Sequence, residues 1–234
     1  ASATLSRRAS GGMTANLPTG EDQVRAEVVA TARAMSASGL SPGRSGNVSA
    51  RFNDGMLITP SGLAYDLMES ADIVFVDGDG TFASGQRAPS TEWHFHLAAY
   101  RARPDLHALV HTHSLHATVL ACAGRNIPAF HYMVAVAGGS DIPLVPYATF
   151  GTAQLGEYVA AGLASRKACL LANHGQVAMG TSLAAALELA HEVEVLAEQY
   201  LKVLMVGPAK LLPDTEMAII LEKFKTYGRA GSEK

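Results

Sequence analysis

Only two cysteines, Cys122 and Cys169, occur in 234 residues. Both sit in apolar surroundings far apart in sequence, which argues against a disulfide framework and reads as buried thiols of a protein kept in the reducing cytoplasm. Long hydrophobic runs are missing as well. The best candidate, Leu183 to Leu204, is interrupted by Glu188, His191, Glu192, Glu194, Glu198 and Lys202, whereas a membrane-spanning helix needs ~18 unbroken apolar residues. Nor is there a surplus of positive charge: 18 basic side chains face 21 acidic ones, for a net charge of -3. Without a basic run or an aromatic-interleaved basic stripe there is no electrostatic footprint for nucleic acid. What remains, at 48% hydrophobic and 17% charged residues, is the composition of a soluble globular chain.

At ~150 residues per domain this length suits one α/β domain with a sizeable core. Residues 1–13 have no apolar segment and are read as a leader or tag outside the fold, not a secretory signal. Residues 229–234 are read as a flexible tail, leaving 14–228 as the domain. Val24, Val28, Thr31 and Met35 recur at helical spacing after a Thr19 cap, and Gly39 closes that helix. Val48–Phe52 and Met56–Thr59 flank Asn53-Asp54-Gly55, a strong hairpin signal. A second hairpin is expected from Ile73–Val76 through Asp77-Gly78-Asp79-Gly80 to Thr81-Phe82. Ser90 is positioned to cap a helix through Glu92 to Tyr100, and Leu106 to His113 reads as a strand. Further helices are expected over 114–123, 152–164, 182–206 and 213–225, with a hairpin over 168–179 that turns at Asn173-His174-Gly175. Helices interspersed with hairpins argue for a mixed sheet covered on both faces.

Nine histidines are present, and four of them, His107, His111, His113 and His116, fall within ten positions. On a strand, residues two apart share a face, so His111 and His113 can reach one ion together. His174, followed by Gly175 at a hairpin corner, can supply a third imidazole. Three histidines with an open position describe a catalytic zinc site better than a structural one. His107, His116, His191, His94 and His96 are assigned packing or helix-face roles.

Ser90, Thr91 and Glu92 lie at a helix start, where free N–H groups and the positive end of the dipole favour an anion. Small polar loops recur at Ser45-Gly46-Asn47 and Thr59-Pro60-Ser61-Gly62. Together they suggest a phosphate cradle without a Walker lysine or a nucleotide fingerprint. A carboxylate beside a metal and a phosphate seat can act as general base on a carbon acid. The same groups can instead activate a metal-bound water in a hydrolase. Both classes remain open on the residues alone. A cupin-type metal site does not fit, because Glu92 precedes the histidine pair and lies on a helix.

Taken in order, Gly46-Asn47-Val48-Ser49, Thr59-Pro60-Ser61-Gly62, Ser90-Thr91-Glu92, His111-Thr112-His113 and Asn173-His174-Gly175 resemble the class II aldolase and adducin-like family. The stretches 127–133, 146–152 and 222–228 are similar to its sugar-phosphate aldolases. The resemblance implies a single-domain, three-layer α/β/α sandwich with a mixed, mostly antiparallel sheet, and a homotetramer with active sites at subunit interfaces. It implies one Zn2+ per subunit on His111, His113 and His174, with Glu92 a ligand in the empty site and the acid/base once substrate displaces it. Gly46, Asn47, Ser61, Gly62, Ser90 and Thr91 would hold phosphate. Tyr132 from the adjacent subunit would protonate the aldehyde oxygen, and Phe150, Phe224 and Tyr227 would line the aldehyde side. The implied reaction is reversible cleavage of a ketose 1-phosphate of the L-fuculose 1-phosphate type to dihydroxyacetone phosphate and a small aldehyde such as lactaldehyde. The alternatives are a 5-deoxyribulose or methylthioribulose 1-phosphate substrate, or a sugar-phosphate dehydration. Ser61 and Thr91 stand where the family pattern has a threonine and a serine, exchanges that keep a hydroxyl. Related epimerases carry Asp at the position of Glu92, and adducin-type chains are expected to lack the metal histidines.

Overall fold

A computed structural model describes residues 20–225. The leader, the cap assigned to Thr19, the tail and Tyr227 lie outside the described residues. The helix α1 spans Glu21–Ala37 and buries Val24, Val28, Thr31 and Met35, the residues of its helical stripe. It follows Gly20, and Gly39, at φ 78, turns the chain out of it. Strands β1 (Asn47–Phe52) and β2 (Gly55–Ile58) form the expected hairpin, with Phe52 opposite Gly55 and Asn53 in the left-handed region at φ 48.

Next in order are β3 (Val74–Val76), α2 (Trp93–Ala102), β4 (Ala108–Thr112), α3 (Leu115–Cys122), β5 (Leu144–Val145), α4 (Ala153–Leu163), β6 (Ala168–Leu171), β7 (Gly175–Gly180), α5 (Leu183–Val206) and α6 (Asp214–Phe224). The seven strands form one sheet in the order β3-β2-β1-β4-β7-β6-β5. Every neighbouring pair is antiparallel except β5 with β6, so the sheet is mixed.

Strand alternation divides the core into two layers. Ala108 and Val110 of β4 join Ala178 of β7 beneath α1, α3 and α5, whereas Leu109 joins Val177 and Met179 beneath α2 and α4. The result is the three-layer α/β/α sandwich. Ser182 and Thr152 start α5 and α4 by accepting from Ala185 N at 3.2 Å and Leu155 N at 3.4 Å.

Three local expectations are corrected, and one strand had not been expected. The second hairpin does not form: β3 pairs with β2, and Thr81-Phe82 is not a strand. Asp77 Oδ1 instead accepts from the backbone N of Asp79 and of Thr81, closing a tight turn that stops the ladder. Ser90 is not the helix cap, because α2 begins at Trp93, with Glu92 in the cap position. The cause is tertiary: Ser90 N donates to Thr59 O and Ser61 N to Ala88 O, which ties this segment to the 59–61 loop. The strand expected over 106–113 spans only Ala108–Thr112, so His113 lies one residue past its end. The two-residue β5, the parallel member of the sheet, had no sequence signal because a strand that short shows no period.

Candidate active site and metal centre

β4 ends at the rim of the sheet, where the β6–β7 turn reaches over it. Thr112 pairs with Gln176, which places His111 and His113 beside the His174 corner. Asn173 adopts φ 56 to make that corner, a conformation asparagine tolerates better than most residues. A Cβ at Gly175 would lie 2.3 Å from Thr112 O, so only glycine allows the turn to approach β4 this closely.

The three imidazoles present ligand atoms within 4.8 Å of one another. Their ring planes stand nearly perpendicular, at 73° to 83°, so that their edges converge. His111 Nδ1 lies 2.8 Å from Gln176 O. A carbonyl can only accept, so Nδ1 carries the proton and Nε2 offers its lone pair. That Nε2 faces His113 Nε2 at 3.1 Å and Glu92 Oε2 at 3.2 Å, while His174 Nε2 lies 3.1 Å from Glu92 Oε1. Oε1 is buried and makes no hydrogen bond of acceptable geometry.

Lone pairs and a carboxylate oxygen pointed at one another across such gaps fit a cation. Tetrahedral Zn–N bonds of 2.0–2.1 Å place ligand nitrogens roughly 3.4 Å apart. Burial, reinforced by His111 and His174, holds the His113 ring down at about 3, so it is the neutral imidazole a metal requires. Burial pushes the Glu92 carboxyl up, but positive charge at the His111 and His174 side of the site outweighs it and holds the group well below the usual carboxylate range.

A cavity of about 340 Å³ opens beside this cluster. Its lining brings together Gly46, Asn47, Ser61, Gly62, Ser90, Thr91, Glu92, His113, His174 and Phe150 from six separate segments. Of the other sequence-derived site residues, His111 is fully buried behind Glu92, while Tyr132 and Phe224 line a separate cavity of about 530 Å³ with Phe130, His131, Leu212 and Ile220. Within one chain, therefore, Tyr132 does not meet the histidines. Its ring is 51% exposed.

Sequence reasoning missed three contributors. Arg44 lines the first cavity and donates to Gly62 O at 2.9 Å, joining two of the small polar loops. Its place beside Ser45-Gly46-Asn47 was the available signal. Tyr147 and Asn173 also line the cavity. His96, read as a packing residue, is fully buried beneath the floor, with Nε2 2.5 Å from Asn47 Oδ1 and Nδ1 2.6 Å from Ser49 Oγ. His107 is half-buried just before β4, and His116 pairs with Glu194 at 2.8 Å.

An α/β/α sandwich carrying a three-histidine centre and a carboxylate beside a donor-rich cavity defines a class of metal-dependent enzyme. The chain belongs to the class II aldolase and adducin family, whose N-terminal domain model matches residues 26–201. It is 52% identical over 203 residues to the L-fuculose phosphate aldolase of Escherichia coli K12, covering 86% of this chain and 94% of that relative. It is 51% identical over 212 residues to the 5-methylthioribulose-1-phosphate/5-deoxyribulose-1-phosphate aldolase of Rhodospirillum rubrum, covering 91% and 96%. A solved L-fuculose 1-phosphate aldolase superposes with a TM-score of 0.83 at 40% identity, covering 87% of this chain and 96% of that one.

Proposed function

We propose that this protein is a zinc-dependent aldolase that reversibly cleaves a ketose 1-phosphate of the L-fuculose 1-phosphate type to dihydroxyacetone phosphate and a short aldehyde. The observation that carries the reading is the placement of the Glu92 carboxylate. It is wedged between His111 and His174 on one side and opens on the other to a cavity lined by hydroxyls and backbone donors. His111, His113 and His174 would hold the ion, since three neutral imidazoles suit zinc and leave room for substrate oxygens. Bound there, zinc would act as a Lewis acid on the oxygens next to the breaking bond and stabilise the negative charge that develops on them.

The chain's own residues supply the rest. Asn47, Ser61, Gly62, Ser90 and Thr91, which line the cavity, would donate to a phosphate, and Arg44 would add a guanidinium there. With its terminal phosphate fixed there, the substrate extends its carbonyl end toward Glu92 and the histidines. As the carbon–carbon bond breaks, Glu92, which first takes up a proton from solvent once substrate is bound, gives that proton to the carbon that becomes the second hydroxymethyl group of dihydroxyacetone phosphate. In the reverse direction it removes that proton. Phe150, 62% exposed at the cavity mouth, and Phe224 with Tyr227 would face the aldehyde. Tyr132 would exchange the proton of the aldehyde oxygen from a neighbouring subunit of a homotetramer. The separation of Tyr132 from the histidines within one chain supports that assignment. Cys169 is buried as expected but Cys122 is exposed, and neither is paired, which agrees with a cytoplasmic location.

The test is a product assay on ketose 1-phosphates with zinc supplied, together with elemental analysis of protein never exposed to chelator. Dihydroxyacetone phosphate should appear, with about one zinc per chain. The panel should include L-fuculose 1-phosphate and the 5-deoxy and 5-methylthio ribulose 1-phosphates, because relatives of both kinds are about equally similar. Full activity in protein without any transition metal would overturn the proposal.

A further inference from the structure

Below the cavity floor, a line of buried polar groups runs from α2 to the Glu92 carboxylate. Tyr100 Oη lies 2.8 Å from Ser49 Oγ and 3.0 Å from Ser49 O. Ser49 Oγ lies 2.6 Å from His96 Nδ1, His96 Nε2 lies 2.5 Å from Asn47 Oδ1, and Asn47 Nδ2 lies 2.9 Å from Glu92 Oε2. All five residues are buried.

The carboxylate end dictates the direction of every hydrogen in the line. Asn47 Nδ2 donates to Glu92 Oε2, so the amide presents its NH2 there and turns its carbonyl oxygen to His96. That oxygen in turn requires a proton on His96 Nε2. In the neutral ring the lone pair then lies on Nδ1, which accepts the Ser49 hydroxyl hydrogen. The Tyr100 hydroxyl donates to Ser49 and ends the line. Burial, reinforced by the nearby His111, holds His96 down at about 3, so the neutral ring is the species present at neutral pH.

We infer that His96 is a positioning residue which, as the Nε2–H tautomer, locks the Asn47 amide so that its NH2 faces both Glu92 and the phosphate cavity. Asn47 lines that cavity, and its NH2 has a second hydrogen beyond the one given to Glu92. A flipped amide would set its carbonyl oxygen against the carboxylate and against an incoming phosphate, two repulsive contacts. The inference rests on the aldolase reading for its kinetic consequence, but not for its structural one.

Two measurements test it. The 15N shifts of histidine-labelled wild-type protein report the His96 tautomer directly, and Nε2–H is expected. In turnover of the ketose 1-phosphate, His96→Phe should lower kcat about tenfold to hundredfold, the scale of a lost hydrogen bond linked to a charged group. His96→Gln, which can still donate to Asn47, should recover most of that loss. In an Asn47→Ala background His96→Phe should change kcat by less than about twofold, because His96 acts through Asn47. An Nδ1–H or doubly protonated His96, or equal losses in both backgrounds, would overturn the inference. If His96→Phe does not fold, the tautomer decides alone. Wild-type protein that cleaves no ketose phosphate would defeat the aldolase reading while leaving the tautomer measurement intact.

Discussion

Glu92→Gln is the sharpest probe of the chemistry. The carboxylate has three neighbours: Asn47 Nδ2 at 2.9 Å, His111 Nε2 at 3.2 Å and His174 Nε2 at 3.1 Å. In the glutamine variant one end of the amide must still accept from Asn47, so the carbonyl oxygen takes the Oε2 position. The NH2 then falls opposite His174 Nε2, at the 3.1 Å separation the carboxylate oxygen has. Shape and the Asn47 hydrogen bond are thereby kept, while the proton acceptor is lost and an NH2 faces His174 Nε2, so the variant should be assayed with saturating zinc. Losing a positioned general base costs ~10²–10⁴ in rate, or roughly 2.7–5.4 kcal/mol of barrier. The assay is exchange of one carbon-bound hydrogen of dihydroxyacetone phosphate with deuterated solvent, followed by NMR without any aldehyde, which isolates the Glu92 step from carbon–carbon bond cleavage. Wild type should exchange, and Glu92→Gln should be slower by that factor. Undiminished exchange in the variant would remove Glu92 from the proton-transfer role, and no exchange in zinc-loaded wild type would favour a hydrolase.

Tyr132→Phe should slow cleavage while leaving zinc content unchanged. Mixed with Glu92→Gln subunits it should regain activity, and no recovery despite confirmed subunit exchange would argue against a site shared between chains. Arg44→Met should raise KM for the phosphorylated substrate, with a smaller change in kcat and a weaker dependence on salt, because a surface guanidinium acts mainly through charge; an unchanged KM would exclude it from phosphate binding. Gly62→Ala adds a Cβ with nothing within 4 Å and pays only for its φ of +72, about 1–2 kcal/mol. Gly46→Ala meets His111 O at 2.6 Å at φ +109, so it should lower Tm further and weaken zinc binding by displacing His111; equal Tm losses in the two variants would contradict that contact.

Periodicity and local chemistry determined much of this protein before any coordinates. Val24, Val28, Thr31 and Met35 at helical spacing marked α1, Asn53-Asp54-Gly55 marked a hairpin, and the two-residue spacing of His111 and His113 placed both imidazoles on one side of a strand end. These features depend on neighbours within a few residues, so the sequence displays them directly. Tertiary structure decided whatever depends on residues tens of positions apart. The antiparallel register that sets Asn47 opposite His111 brings the Gly46-Asn47 loop to the metal centre. The bridge between Pro60 and Pro89 takes the start of α2 away from Ser90 and leaves Glu92 free to turn toward the histidines. His96 shows the limit most clearly. It lies four residues after Glu92 on an ordinary helical stripe, and nothing in its neighbourhood distinguishes it from a packing residue. Its role exists only because α2 packs on β1, where burial removes water and leaves each polar group to find its partner across the interface.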